Sequence, residues 1–437
     1  MPTNFRQGTD ITQQSDATSK WMLVAALAVI SMINYGVRTS ITAVYPLLRT
    51  DLGFTDAGLG ALGSFFLWSY ALASPLAGHL GDRFDKGRIV LWTLVAWSAV
   101  TAASGLANAR WELLGMRILL GLIESLFLPA AFALVAEYHP AATRGTAIGL
   151  MCVGQYVGLM GGATFVGFVA DRYGWRSSLW VLGIVGMATA VPAYFLVPMK
   201  KFRHVALNPE SNVAASQPEL SFVEALVQLV RIPSFLVLAA AGALTAIGIW
   251  TFVNWLPLYF REVFAMSLAG AGFYGASFIN GSGVVGQVLG GLLSDRVARH
   301  GAHYRMLLQG ALILVAAPTL LVFAFTKKLP FIVVALMLYS ILRTAGDINI
   351  LPLICDLAGK DRFSTAFGIT NMVNCLSGGS AVFVAGLLKA NLGLAGVFAG
   401  SVGVLILDAL LLFCGYWFFL KRDIQNASLR VMAVAVE

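Results

Sequence analysis

Long apolar runs alternate with short polar segments along the whole chain, and twelve of these runs are close to or above membrane-spanning length. A helix crosses a bilayer with about 20 largely apolar residues. The pattern therefore predicts an all-α membrane protein with twelve transmembrane helices. The predicted spans are residues 21–47, 57–79, 89–108, 112–136, 144–169, 177–197, 235–260, 267–293, 306–326, 331–357, 364–388 and 394–419.

A polar stretch separates the first six spans from the last six and divides the chain into two bundles. The predicted organisation is a tail at 1–20, a six-helix bundle at 21–198, a linker at 199–234, a second six-helix bundle at 235–420 and a tail at 421–437. Lys and Arg concentrate in the tails, the linker and every second loop, and such segments stay in the cytoplasm. The sequence predicts a multi-pass protein of the cell (inner) membrane with both termini in the cytoplasm.

Composition excludes most other classes of protein. Only 11% of the 437 residues are charged and 58% are hydrophobic, whereas a soluble domain carries about 25% charged residues. The net charge of +8 does not indicate a nucleic-acid partner, because the basic residues form short clusters between apolar runs. No H-E-x-x-H or G-x-S-x-G motif is present, and we predict neither an enzyme nor a metal site or cofactor.

The two halves of the sequence repeat short motifs. Residues 78–83, Gly-His-Leu-Gly-Asp-Arg, return as Gly-Leu-Leu-Ser-Asp-Arg at 291–296, each at the end of the second helix of its half. Residues 144–149, Arg-Gly-Thr-Ala-Ile-Gly, are echoed by Phe-Ser-Thr-Ala-Phe-Gly at 363–368. Parallel repeats of six helices are typical of transporters that hold their substrate near the membrane midplane, between the repeats.

The first of these motifs resembles the signature loop of the major facilitator superfamily. The matching residues are Gly78, Leu80, Asp82, Arg83, Lys86 and Arg88, with a weaker copy from Gly291 to Arg299. The resemblance covers nearly the whole chain and implies a twelve-helix fold with alternating access. The predicted gating residues are Asp82, Arg83, Arg88, Arg117, Asp295 and Arg296. The alternative is that these side chains only cap and anchor helices.

Within the superfamily, four strings resemble the anion:cation symporter family, which carries organic anions such as sugar acids. The strings are Ile33 to Arg38, Arg117 to Pro129, Gly174-Trp175-Arg176 and Trp255-Leu256-Pro257. Spinster-like lipid transporters share a similar first-helix string. The symporter family has a proton-carrying aspartate in its first helix where this chain has Val37. The resemblance thus implies transport but leaves the coupling ion open.

Arg38 is the main candidate for binding an anionic group. A charge in a spanning helix is costly and usually faces a cavity or a partner, and no acidic residue lies close to Arg38 in the sequence. Tyr35 and Asn34, three and four residues earlier, lie on the same helix face. The guanidinium offers a planar fork to a carboxylate or phosphate. We therefore predict that Arg38, Tyr35 and Asn34 contact the substrate.

Two carboxylates are candidates for proton coupling. Glu124 and Asp347 each lie five residues before a proline and so correspond across the repeat. Loss of water favours the protonated form of a carboxylate, which a proton carrier requires. Asp347 is also an i,i+4 neighbour of Arg343, so this pair either contacts substrate or forms a structural ion pair.

Further polar and aromatic residues complete the predicted substrate site. Gln155 and Asn374 align across the repeat, and Gln155 matches a substrate-contacting glutamine of the symporter family. The remaining candidates are Tyr70, Trp250, Asn254 and Asn371. The alternative for each is a hydrogen bond to a neighbouring helix, which contributes ~0.6 kcal/mol to stability. Asp408 in the last helix has no evident partner in the sequence.

Together these features predict a secondary active transporter for a small organic anion, a carboxylate or sugar acid, with Glu124 as the candidate for proton coupling. The predicted partners are the anionic substrate, the lipid bilayer and a coupling ion, and the protein is predicted to be a monomer. Two alternatives stay open. One is a lipid or drug carrier of the same superfamily, and the other is a sensor on the same fold that transports nothing.

Overall fold

Helices make up nearly all of the structure, a computed structural model that describes residues 7–199, 222–359 and 362–426. No β-strand occurs within these ranges. The helices are α1 (Gln7–Ala43), α2 (Tyr45–Leu52), α3 (Asp56–Arg83), α4 (Lys86–Ser104), α5 (Arg110–Ser125), α6 (Phe127–Tyr138), α7 (Ala141–Leu196), α8 (Phe222–Val230), α9 (Pro233–Phe264), α10 (Leu268–Ala298), α11 (Tyr304–Ala316), α12 (Val322–Phe325), α13 (Leu329–Asp347), α14 (Ile350–Ala358) and α15 (Phe363–Gly415). A 3-10 turn, Ala317–Leu321, precedes α12, and a π-helical turn, Tyr416–Leu420, follows α15.

Twelve membrane spans follow from these helices. Among the described residues, ten stretches are long and apolar enough to cross a membrane. The stretch in α7 has 54 residues, and the stretch that begins in α15 and runs on to Asn426 has 62. Each contains one glycine with non-helical angles, Gly174 at φ 80° and ψ 166°, and Gly393 at φ 64° and ψ 169°. Only glycine adopts such angles readily, so each turns the chain and divides its helix into two spans. The predicted twelve-helix fold is confirmed.

Prolines interrupt three of the predicted spans. Pro46, Pro129 and Pro352 follow the breaks between α1 and α2, between α5 and α6, and between α13 and α14. A proline has no N–H for the carbonyl four residues earlier, and its ring clashes with that carbonyl. The helix therefore opens within one turn on the N-terminal side of the proline. These breaks place Glu124 in the last turn of α5 and Asp347 at the end of α13.

A row of glycines packs α7 against α1. Gly154, Gly158 and Gly162 recur at every fourth residue and so lie on one face of α7. A Cβ atom on each would meet the backbone of Ala28, Met32 and Gly36, respectively, which have the same spacing on α1. Small residues at this spacing let membrane helices approach closely. The glycine row thereby fixes the register of the α1 segment that carries Arg38.

Replacing Gly158 with alanine is expected to lower the thermal midpoint of the purified protein. The new Cβ would lie 2.9 Å from the Met32 carbonyl carbon, and overpacking costs about 1–3 kcal/mol. Gly161→Ala is the matched control, because nothing lies within 4 Å of a Cβ added there. Thermal melting of both variants checks the packing, and equal midpoints would contradict it.

Backbone contacts divide the chain into two compact units. Unit 1 holds most of the first half of the sequence together with Met266–Phe273, and unit 2 holds most of the second half together with Phe54–Leu72. The first part of α3 thus belongs with unit 2. The predicted bundle bounds, 21–198 and 235–420, stay predictions, and the linker 199–234 falls largely on residues outside the described ranges.

Candidate substrate and coupling sites

A buried ion pair between Arg38 and Glu124 is the central charged feature of unit 1. Arg38 Nε donates to Glu124 Oε2 at 2.9 Å, and the two residues expose only 7% and 0% of their surface. The guanidinium also lies over the Tyr35 ring, with Cζ 4.5 Å from the ring centroid. Burying either charge alone would be costly, so the two groups depend on each other.

Glu124 comes from a helix that is distant in the sequence, 86 residues from Arg38. It lies one residue before the end of α5, where the helix dipole disfavours a negative charge. Pairing with a cation offsets this effect. Arg117, two turns earlier on α5, and Asn34 of α1 also act on the Glu124 carboxylate, and both are buried.

These residues form one group, the unit 1 cluster, which consists of Asn34, Tyr35, Arg38, Arg117 and Glu124. Two guanidinium groups act on one carboxylate here, so the described side chains of the cluster carry a surplus positive charge. A buried surplus of this kind favours an anion. The structure brings together three predicted substrate residues and one predicted coupling residue. Arg117, predicted as a gating residue, lies in this cluster in the middle of α5.

Val37 lies next to the unit 1 cluster. It lines the same small cavity as Arg117, and the polar lining of this cavity includes the hydroxyl groups of Ser40, Thr101 and Ser104. An aspartate at position 37 would place a carboxylate in the cavity with Arg117. Valine brings no charge, and the surplus positive charge of the cluster persists.

In unit 2 the predicted pair of Arg343 and Asp347 is formed. Arg343 Nη1 donates to Asp347 Oδ2 across one turn of α13. Arg343 Nε and Asp347 Oδ1 are buried and have no hydrogen-bond partner among the described residues. The pair therefore keeps one donor and one acceptor for a further ligand. Its two predicted roles, substrate contact and structural ion pair, both stay predictions.

Three amide side chains predicted to contact substrate are half-buried, Gln155 in unit 1 and Asn371 and Asn374 in unit 2. Gln155 Nε2 and Asn374 Oδ1 have no hydrogen-bond partner among the described residues. Asn374 packs on Gly242 of α9, where an added Cβ would lie 2.7 Å from its Oδ1 atom. Gln155 and Asn374, which correspond across the repeat, thus each have one buried amide atom without a hydrogen-bond partner among the described residues.

Tyr70, Trp250 and Asn254 bond or pack within unit 2. Asn254 Nδ2 donates to the Trp250 carbonyl oxygen at 2.9 Å. Trp250 packs on Gly378, and Tyr70 stacks on Phe66 with the ring centroids 6.2 Å apart. These contacts of Asn254 and Tyr70 lie within their own helices, α9 and α3, and of the three only the contact of Trp250 with Gly378 joins two helices. For all three residues, contact with substrate stays a prediction.

The remaining predicted gating residues lie at helix ends. The side chains of Asp82 and Arg83 are outside the described residues. Arg88 lies in the first turn of α4, where its N–H donates to the N-cap aspartate at 2.9 Å. Asp295 and Arg296 are exposed near the end of α10. Their gating role stays a prediction.

Each unit contains an ion pair that the sequence did not predict, and the two pairs occupy corresponding positions of the repeat. Lys86 pairs with Glu137 at 3.4 Å in unit 1, and Arg305 pairs with Asp356 at 3.7 Å in unit 2. The offset between the Thr-Ala-x-Gly motifs also relates Lys86 to Arg305 and Glu137 to Asp356. Each pair joins the start of one helix to the end of another at the side predicted to be cytoplasmic.

A lysine at the predicted outer end of unit 2 holds two acidic residues. Lys389 Nζ lies 3.0 Å from Asp56 Oδ1 and 2.7 Å from Glu262 Oε1. Asp56 begins α3 and Glu262 lies near the end of α9. About two turns further along α3, Ser64 Oγ donates to the Gly379 carbonyl oxygen at 2.6 Å. These contacts tie the first part of α3 into unit 2.

Two of the four strings that resemble the symporter family contain residues that join helices. Trp175 Nε1 donates to Asp51 Oδ2 at 2.8 Å, and Arg176 pairs with the same oxygen at 3.3 Å. Trp255 Nε1 donates to the Val382 carbonyl oxygen at 3.2 Å. The resemblance in these strings therefore reflects contacts that build the fold.

Comparison with known proteins assigns the chain to a family. The profile of the Major Facilitator Superfamily matches residues 27–382, most of the chain. This chain belongs to the major facilitator superfamily. It is a multi-pass membrane transporter, and the predicted superfamily, fold and absence of an enzymatic role are confirmed by this family and by the transporters it resembles.

Several proteins that this transporter resembles are named as transporters of sugar acids or of sulfoacetate. The chain is 23% identical to the probable galactarate/D-glucarate transporter GudP of Escherichia coli (strain K12), over 95% of this chain and 96% of that protein. It is 26% identical to the probable sulfoacetate transporter SauU of Cupriavidus necator, over 82% and 86%. Its fold matches a bacterial homolog of the human lysosomal transporter Spinster, solved inward-facing and unoccupied, with a TM-score of 0.74, 20% identity and coverage of 94% and 98%.

Proposed function

We propose that this transporter moves a small organic anion such as a sugar acid, and that Arg38 binds the carboxylate of that anion. The unit 1 cluster carries the proposal, because two buried guanidinium groups act on a single carboxylate. A substrate anion adds a negative charge beside these two guanidinium groups, and the arginine fork binds a carboxylate through two parallel hydrogen bonds. The relatives named as galactarate/D-glucarate and sulfoacetate transporters support this substrate class.

In this proposal Glu124 and the anion compete for Arg38. Glu124 holds the guanidinium at 2.9 Å in the structure, so an anion that takes this place leaves the Glu124 carboxylate buried beside a second negative group. A buried carboxylate that loses its cation takes up a proton. Anion binding and proton uptake are thereby linked, and the two ligands cross the membrane together.

The rest of the proposal concerns the protein around the cluster. The two bundles expose the cluster to each side of the membrane in turn by alternating access. Both termini lie in the cytoplasm, as the distribution of Lys and Arg favours, and the protein acts as a monomer. Arg343 and Asp347 provide the corresponding charged pair of the second bundle.

Counterflow in proteoliposomes tests the substrate class. Vesicles are preloaded with unlabelled D-glucarate, galactarate, sulfoacetate, a lysolipid, a drug or glucose and are diluted into a trace of the same compound in labelled form. We expect label to accumulate transiently with at least one of the acids and not with glucose. Transport of a lysolipid or a drug, but of none of the acids, would overturn the proposal in favour of the carrier alternative. Transport of none of these probes would favour the sensor.

Replacing Val37 with aspartate is expected to weaken anion uptake and to raise the number of protons that move with each anion. The new carboxylate shares a cavity with Arg117, cancels the surplus positive charge and adds a second protonatable group. Uptake of labelled D-glucarate and a pH-indicator dye inside the vesicles measure both effects. Val37→Asn, which adds no charge, is the control, and identical behaviour of the two variants would count against the charge argument.

A further inference from the structure

Asp408 is a buried carboxylate that the proposed mechanism does not use. It lies in the part of α15 that follows Gly393 and exposes 0% of its surface. Leu405, Ala409 and Leu412 are buried with it, whereas Ile406, Leu407 and Leu410 are exposed. The Asp408 carboxylate therefore points into unit 2 and away from the lipid.

Among the described residues, one hydrogen bond holds this carboxylate. Thr245 Oγ1 of α9 donates to Asp408 Oδ2 at 2.8 Å, while Asp408 Oδ1 is buried with no partner among the described residues. The titratable groups that act electrostatically with Asp408 are Asp347 and Tyr339 of α13. Arg343 acts on those two residues and pairs with Asp347. Within the described part of the chain, Asp408 has no ion-pair partner.

Two glycines of α9 make room for polar groups around Thr245. Gly242 and Gly248 lie three residues before and after it and share its face of the helix. A Cβ on Gly242 would lie 2.7 Å from Asn374 Oδ1, and one on Gly248 would lie 3.0 Å from the Tyr339 hydroxyl. That hydroxyl is buried and has no hydrogen-bond partner among the described residues. Polar groups from α9, α13 and both parts of α15 thus converge inside unit 2.

We infer that Asp408 binds a proton, in a site formed with Thr245, Tyr339 and Asp347. The described residues give Asp408 one hydroxyl donor, no cationic partner and a second carboxylate that acts on it. An ionised carboxylate in such surroundings is very costly to bury. A proton on Oδ1 removes the charge and makes that unpartnered atom a hydrogen-bond donor, while Oδ2 keeps the bond from Thr245.

Asp347 connects this site to its surroundings. Its side chain is 23% exposed, whereas Asp408 is fully buried. A proton bound at Asp408 enters and leaves through Asp347, the more exposed of the two side chains. This inference does not depend on the identity of the transported anion.

Infrared spectroscopy of the reconstituted protein without ligand tests the inference. The carbonyl stretch of a neutral carboxylic acid is separate from the bands of a carboxylate, and difference spectra between neutral and alkaline pH detect its loss. We expect the wild-type protein to show this band at neutral pH and Asp408→Asn to lose it. Asparagine keeps the size of the side chain and an acceptor for Thr245, so we expect the variant to fold.

Asp423 provides the matched control. It is a buried aspartate of the same unit that accepts hydrogen bonds from Ser234 N and Oγ at 3.0 Å and 2.8 Å. Asp423→Asn should leave the band unchanged. Thr245→Val should keep the band but move it to higher wavenumber, because the acid carbonyl loses its hydrogen bond.

Two results would overturn the inference. One is a neutral-acid band of full size in Asp408→Asn. The other is a wild-type spectrum without the band at neutral pH. If the band then appears when choline replaces sodium in the buffer, a metal cation rather than a proton occupies the site. These spectra need no substrate, so failure of the proposed function and failure of this inference are distinguishable.

Discussion

Replacing Glu124 with glutamine is expected to abolish proton-driven accumulation of the anion and to leave exchange of anion for anion intact. Glutamine keeps the shape of the side chain but neither carries a proton nor competes as an anion for Arg38. The guanidinium, which Glu124 holds at 2.9 Å in the wild-type protein, is then available to substrate at every pH. The proton gradient no longer drives the transport cycle.

Two assays on the same vesicles separate these activities. Uptake of labelled D-glucarate against its gradient, with an acidic outside, measures proton-driven accumulation, and counterflow at equal pH measures exchange. Glu137→Gln is the control, because Glu137 pairs with Lys86 at a partly exposed helix end and should keep both activities. Accumulation by Glu124→Gln at the wild-type level would remove Glu124 from the coupling mechanism.

Replacing Arg38 with alanine is expected to reduce anion affinity at least about thirtyfold. Truncating one partner of a buried, hydrogen-bonded charge pair costs about 2–5 kcal/mol, and about 1.4 kcal/mol corresponds to a factor of ten. The substrate carboxylate loses the planar fork that binds it. Arg38→Lys keeps the charge but not the fork, and its affinity should fall between those of the wild-type protein and the alanine variant.

A double variant guards against misfolding of Arg38→Ala, which leaves Glu124 buried without its cation. Arg38→Ala/Glu124→Gln removes both charges and should restore the thermal midpoint without restoring anion binding. Binding of D-glucarate to the purified variants, measured by calorimetry or thermal shift, checks this result. Wild-type affinity in the double variant would exclude Arg38 from the substrate site.

The sequence predicts the fold well because the membrane makes length and apolar composition decisive. The paired spans before and after Gly174 and Gly393 are visible as apolar runs with a glycine at the turn. The interruptions of the spans were missed, although Pro46, Pro129 and Pro352 signal them, because hydropathy does not register a local break in the helix. The interruption at Leu126 matters most, since it leaves Glu124 at a helix end.

The candidate sites were only partly predictable. Local pairs such as Arg343 and Asp347 follow from helical spacing, and the structure contains that pair. The partners of Arg38 and Asp408 lie 86 and 163 residues away, and a single sequence gives no signal for such contacts. For the same reason the sequence did not predict Glu124 as the partner of Arg38.

The pH dependence of anion affinity tests the competition between Glu124 and the substrate most directly. If an anion displaces Glu124 from Arg38, binding takes up one proton, so affinity falls as pH rises, by about tenfold per pH unit where Glu124 is ionised in the free protein. D-glucarate binding to the purified protein over a pH series should show this fall in the wild-type protein and a flat profile in Glu124→Gln. A wild-type profile without pH dependence, or the same slope in both proteins, would contradict the mechanism.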